Sequence, residues 1–395
     1  MGRNPEGQRD AGLSPDGQEP PLPLQGASPN RLAECVGLGR HGELGSPLQG
    51  PAAGPAGMIV RLVRSAAVLY LYFPHRTLLR LAGPRAALLL ARPLAALHWV
   101  LALLGAERKL KRAMCMALAR SQPGLPSLRT IWHYVLLRQQ RFIEWHLCPT
   151  ARGRRWVART YRHVEGREHI DRALADGRGA IVLVFHFGLS KMVWPVLQEL
   201  GYDNYHHVFR GETYAGRTSK WVARAAMRRM AASEGESGLK IIYHRPSFAF
   251  ETMVRLLRRN QLVGINGDGM MGVEFVEVPF LDGRMAFPTG PARMAAYTGA
   301  PILPVFCLPS GLNDHRLFIH PPVLCPDDRP AALRECIEAC VRLLEDYTRR
   351  HPWAWWTWRR LEVEQGTDGR AVLRARGLST RNGWSCEVGG SSGRP

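Results

Sequence analysis

Lysine is nearly missing from this sequence. Of its 53 basic residues only Lys109, Lys111, Lys191, Lys220 and Lys240 are lysine, and the rest are arginine. None of the eight cysteines forms a C-x-x-C pair, and Cys336 and Cys340, one helical turn apart, lack the nearby His or Cys of a zinc pattern. They read as buried, reduced thiols suited to a reducing compartment, with no metal site. Aromatic residues are absent from residues 1–57, which hold 12 Gly and nine Pro. Such a segment buries too little apolar surface to offset the entropy of ordering, so 1–57 is expected to be a disordered Gly/Pro-rich extension. Residues 1–30 lack a signal-peptide layout, and the patterned part of the chain starts at Met58. No uncharged run reaches the roughly 18–20 residues of a bilayer span. With 395 residues, 46% hydrophobic and 22% charged, the chain is neither generally disordered nor a disulfide-stapled miniature.

Acidic residues are also scarce in one place. Residues 58–160 carry 18 Lys and Arg against two acids, Glu107 and Glu144. A basic segment of this kind suits an anionic membrane face, an acidic carrier protein or nucleic acid. The nucleic-acid option is set aside, because the cations are interleaved with long aliphatics and no DNA- or RNA-reading motif is present. Residues 65–74 and 86–105 are apolar, the second broken by Arg92, Pro93 and His98. They read as helices lying in a membrane interface, with Arg61, Arg64, Arg76, Arg80 and Arg85 reaching headgroups and Trp99 at the boundary. The competing readings are a single tilted span and a buried helical hairpin packed on the main domain. Residues 129–147 read as a further amphipathic helix.

From about residue 160 the pattern alternates between strand and helix. The apolar run 179–186 is a buried-strand signature. Strands are expected at 205–209, 239–243, 261–266, 301–307 and 315–320, and helices at 189–200, 219–232, 250–259, 291–298 and 329–350. Residues 279–291 read as a Gly/Pro-rich connection. The fold class is therefore α/β, a mainly parallel mixed sheet flanked by helices, with an N-terminal membrane-associated helical segment. Four regions are expected: 1–57 the disordered extension, 58–160 the basic helical segment, 161–362 the α/β domain and 363–395 a flexible tail.

His186 ends the first strand of the domain. In open α/β sheets ligands bind beyond the carboxyl ends of strands, so a histidine there is placed to act as a base. An ordered series of motifs follows it: His186-Phe187-Gly188, then Val208-Phe209-Arg210, then Gly267-Asp268-Gly269 at a strand end. Next come Pro279-Phe280 with Gly283, Thr289-Gly290-Pro291-Ala292 leading to Gly299-Ala300-Pro301, and a closing segment with Trp353, Trp355, Trp356, Trp358, Arg359 and Arg360. The series resembles the lysophospholipid-acyltransferase-like superfamily, specifically the lipid A lauroyl/myristoyl acyltransferases and their relatives that acylate phosphatidylinositol mannosides.

That resemblance implies transfer of a fatty acyl chain from acyl carrier protein or acyl-CoA to a lipid or glycolipid hydroxyl or amine, at the cytoplasmic face of the inner membrane. It implies no metal and no cofactor. It makes His186 the base, and Arg210, Asp268 and Gly269 substrate-binding residues. A hydroxyl is a poor nucleophile until a base takes its proton, which is why the family pairs its histidine with an acid four residues on. Here the sequence departs from the family, because Lys191 stands where the acid belongs. Three readings follow. Another acid, Glu212 or Asp268, supplies the missing charge. Alternatively Lys191 takes part in altered chemistry. In the third, the site is inactive and the protein is a lipid-binding or scaffolding homologue.

Overall fold

The computed structural model describes residues 55–103, 107–208, 218–243, 246–268, 272, 274–311, 314–366 and 370–375. The expected extension 1–57 lies almost wholly outside them.

The basic segment is helical. Helix α1 (Pro55–Tyr70) runs through a π-helical turn, Leu71–His75, into α2 (Arg76–Ala82). Pro74 inside that turn has no N–H to give the helical ladder, a known cause of such widened turns. Gly83, at φ 81°, breaks the helix, and Pro84 occupies the first position of α3 (Pro84–Leu101). Then come α4 (Arg108–Ala117), α5 (Leu128–Leu147) and α6 (Ala151–Thr160). Ser127 and Thr150 cap α5 and α6 through their hydroxyls.

One expectation about this segment is overturned. Arg76 does not reach outward: its side chain is 1% exposed and bonds Ser233 at 2.9 Å and Glu236 at 3.0 Å, with Arg80 joining the same carboxylate. A buried guanidinium needs such a counter-charge, and Glu236 supplies it from the α/β half of the chain. Trp99 is half-buried, packed edge-on against Trp132, with its indole N–H donating to the Leu128 carbonyl. The helices nonetheless leave an apolar face in solvent. Leu62, Leu78, Leu81, Leu89, Leu97 and Leu101 are between 47% and 74% exposed.

The main sheet has seven strands in the order β1-β9-β8-β2-β5-β3-β4. These are β1 (His163–Glu165), β2 (Ala180–Val184), β3 (Asn204–Val208), β4 (Lys240–Tyr243), β5 (Leu262–Asn266), β8 (Ile302–Pro309) and β9 (His315–Ile319). Only the β8–β9 pair is antiparallel. All five residues of β2 are buried, as expected for a strand covered on both faces. The flanking helices are α7 (Arg167–Ala175), α8 (Val193–Glu199), α9 (Lys220–Ser237), α10 (Pro246–Arg258), α11 (Gly290–Thr298) and α12 (Pro330–Arg350). One apolar core runs from Leu79 in α2 to Leu373, so the front helices share the core of the α/β part.

A second sheet was not anticipated. Strands β6 (Phe275–Phe280), β7 (Gly283–Pro288), β10 (Leu361–Gln365) and β11 (Ala371–Ala375) pair in the order β10-β11-β7-β6. The stretch 279–291 is thus largely a hairpin arm, and the first part of the 363–395 tail is a strand pair. Gly283 explains how β7 and β11 approach each other: a Cβ there would lie 2.0 Å from the Ala371 carbonyl oxygen.

Candidate active site

Sheet register builds the site. Strands β2 and β5 run parallel with Val184 opposite Asn266. Two residues beyond each strand end come His186 and Asp268, side by side at the carboxyl edge of the sheet. The Gly267 N–H donates to the Val184 carbonyl at 2.7 Å and carries the pairing one step past the strands. Gly188 is needed just after the histidine: its φ is 53°, and a Cβ would meet the Cys307 carbonyl oxygen at 2.0 Å.

The His186 Nδ1–H donates to Asp268 Oδ1 at 2.7 Å, and the His186 backbone N–H donates to the same oxygen at 2.9 Å. The other carboxylate oxygen accepts from the Trp355 indole N–H at 2.8 Å and from the Thr357 hydroxyl at 3.0 Å. The Asp268 side chain is wholly buried, while His186 keeps 17% exposure. Burial alone would push the Asp268 carboxyl up. The charge and hydrogen bond of His186, the Trp355 indole and the His186 backbone outweigh it and hold the group below the usual aspartate range. Asp268 is therefore an anion that can only accept. The neutral imidazole keeps its proton on Nδ1 and turns the Nε2 lone pair away from the carboxylate.

The tryptophan-rich segment completes this arrangement. The 3-10 turns Pro352–Ala354 and Trp356–Arg360 lie against the His186 loop: the Gly188 N–H donates to Ala354 O at 2.9 Å and the Trp356 N–H to His186 O at 3.0 Å. Trp355 and Trp358 are 0% exposed and belong to the core. Trp356 packs edge-on against the His186 ring, centroids 4.3 Å apart.

The residues singled out in the sequence fare differently. His186 and Asp268 are brought together. Asp268, expected among the substrate-binding residues, has both oxygens taken by protein donors and no exposed side-chain surface. Lys191 sits exposed in the 3-10 turn Ser190–Met192, its ammonium 5.0 Å from the centre of the Trp145 ring. Arg210, Glu212 and Gly269 lie outside the described residues. His206 is buried and stacked on Trp194. Sequence reasoning missed Thr357, whose only signal is its place inside the tryptophan run, and the hydrogen bond of Trp355. Among the described residues no cluster of His, Cys, Asp or Glu could hold a metal, and the six of the eight cysteines that lie among them are free thiols.

Two phosphatidylinositol mannoside acyltransferases of Mycobacterium tuberculosis, from strains CDC 1551 / Oshkosh and ATCC 25618 / H37Rv, are each 27% identical to this chain over 191 residues. The match covers 48% of this chain and 57% of each relative, so the chain spans little more than half the length of the curated relatives it matches. Residues 140–361, over half of the chain and including the whole His186–Asp268 arrangement, match the bacterial lipid A biosynthesis acyltransferase family, and the chain belongs to that family.

Proposed function

We propose that this protein is a membrane-associated acyltransferase. It moves a fatty acyl group from the thioester of acyl carrier protein or acyl-CoA to a hydroxyl of a lipid or glycolipid, with His186 as general base. The observation that carries this reading is the 2.7 Å bond from His186 Nδ1 to the buried Asp268. The His186 Nε2 accepts the proton of the acceptor hydroxyl as its oxygen attacks the thioester carbonyl. Asp268 stabilises the imidazolium so formed. The tetrahedral intermediate then expels the thiolate, which takes the proton back from the imidazolium and leaves an ester and a free thiol. Asp268 thus supplies the charge that Lys191 does not.

The exposed leucines of α1, α2 and α3, with Arg61, Arg85 and Arg92 exposed among them, support binding at an anionic lipid surface. Among the described residues no helix is long and apolar enough to cross a membrane, which favours helices lying on the surface. The cytoplasmic face of the inner membrane is the side where both thioester donors are made.

The test incubates purified protein with acyl-CoA or acyl carrier protein thioester and phosphatidylinositol mannoside or lipid A precursor. Thiol release and acceptor mass are then followed. Wild type is expected to release thiol and add one acyl mass, and His186→Ala to do neither. Turnover by His186→Ala equal to wild type removes His186 as the base. A wild type that binds lipid and consumes no thioester establishes the scaffolding reading instead.

A further inference from the structure

Next to His186 lies a cation that the dyad does not use. Arg141, on the face of α5 turned to the tryptophan segment, stacks on Trp356 with its guanidinium carbon 3.8 Å from the ring centre. Its neighbours Arg138 and Arg359 share Glu107, at 3.3 and 3.2 Å. Arg141 has no such carboxylate among the described residues, and its buried Nε–H has no hydrogen-bond partner there. The Trp356 indole N–H is also buried without a partner among them. Two buried N–H donors in one stack, both lacking an acceptor, are costly and call for an anion.

Charge around the stack points the same way. Arg360 lies 5.6 Å from the Trp356 ring centre. Burial, with Arg138 and Arg360 nearby, pulls Arg141 down to about 9 against a smaller upward pull from Tyr134, so at neutral pH it is charged and poorly solvated. A donor to the reacting oxyanion would have to touch the reacting atoms. Trp356 touches both the imidazole and the Arg141 guanidinium, so Arg141 is read as holding an anion near the reacting oxygen and not the reacting oxygen itself. Two guanidinium groups over one indole ring, Arg141 and Arg360, favour a multiply charged group with fork-like geometry.

We propose that Arg141, with the Trp356 indole N–H, binds a phosphate group of a substrate. The inference rests on the acyl-transfer reading above for the word substrate; the anion site itself does not. The phosphate belongs either to the lipid acceptor's headgroup or to the donor's phosphopantetheine arm, and the experiment separates the two.

Binding is read first without turnover, by 31P line broadening of inorganic phosphate in His186→Ala. Broadening is expected there and is expected to vanish in His186→Ala/Arg141→Gln; equal broadening in the double variant overturns the site. Kinetics with Arg141→Gln then assign the source. A rise of roughly ten- to a hundred-fold in KM for the phosphorylated acceptor, absent with its dephosphorylated analogue, assigns the headgroup. The same rise for acyl-CoA, absent with an acyl N-acetylcysteamine thioester, assigns the donor. A rise that ignores the presence of phosphate in both substrates overturns the proposal, because a merely structural stack would behave so. Phosphate binding in a wild type that transfers no acyl group leaves the site standing and removes the acyl-transfer reading.

Discussion

At the carboxyl end of β2 a carboxylate with no exposed surface is met by four donors, whereas along α1, α2 and α3 six leucines stand 47% to 74% exposed. The two regions share one apolar core and are built for opposite surroundings. The first encloses a charge and satisfies it, which fixes one geometry before any substrate arrives. The second leaves apolar surface unsatisfied, at about 1.5–3 kcal/mol for each fully exposed leucine, a penalty removed when an apolar phase covers it. Chemistry and surface binding should therefore fail separately under mutation.

The largest separation is expected from Asp268→Asn. An amide can present a donor where the carboxylate only accepted, so the imidazole loses its orienting acceptor. The kcat should drop on the order of a thousandfold, with vesicle binding unchanged. A parallel loss of both would show that the site and the surface are one unit. The reverse substitution is Leu81→Asp with Leu97→Asp. Co-flotation with anionic vesicles should weaken by at least roughly tenfold, while turnover of detergent-dispersed acceptor persists.

A smaller effect concerns acid. Burial, then Lys191 and His207, pull His206 down to about 3, and burial, then Arg76 and Lys191, do the same to His146. Depressed folded values mean that the unfolded chain takes up protons first. The stability of both neutral rings is thus present above about pH 6.5 and is lost progressively as the pH falls toward 3. His206→Phe, which keeps the stack on Trp194, should lower the loss of Tm between pH 7 and pH 4 by roughly a few degrees. An unchanged slope would place the acid-sensitive group elsewhere, with His146 next to be replaced. The smallest effect is expected at Lys191. Since Asp268 already serves the imidazole, Lys191→Ala should change kcat by no more than about threefold. A loss comparable to that of Asp268→Asn would restore Lys191 to the chemistry.

The sequence made the main sheet legible because β2, β5 and β8 are short apolar runs bounded by Gly or Pro, a signal local to each strand. The second sheet lacked that signal. Pro279 and Gly283 read as breakers, and β7 and β11 pair across more than 80 residues, which no local pattern reports. At the site, His186 stood out by its place at a strand end. Asp268 was visible as a candidate acid, but its partnership came from the parallel register of β2 and β5, a property of the sheet and not of either segment. Arg76 misled for a similar reason: the carboxylate that buries it lies 160 residues away. The role of Thr357 and the unpaired donors of Arg141 and Trp356 emerge only when α5 and the tryptophan segment meet over the histidine loop.

Catalysis as proposed requires Asp268 to hold one imidazole nitrogen of His186 and leave the other free for a substrate proton. 15N NMR of the histidine side chains, with His186 assigned by difference against His186→Gln, tests it directly. Neutral His186 is expected to carry its proton on Nδ1, and Asp268→Asn to change this signal. A neutral ring protonated on Nε2, or a His186 signal indifferent to Asp268→Asn, would contradict it.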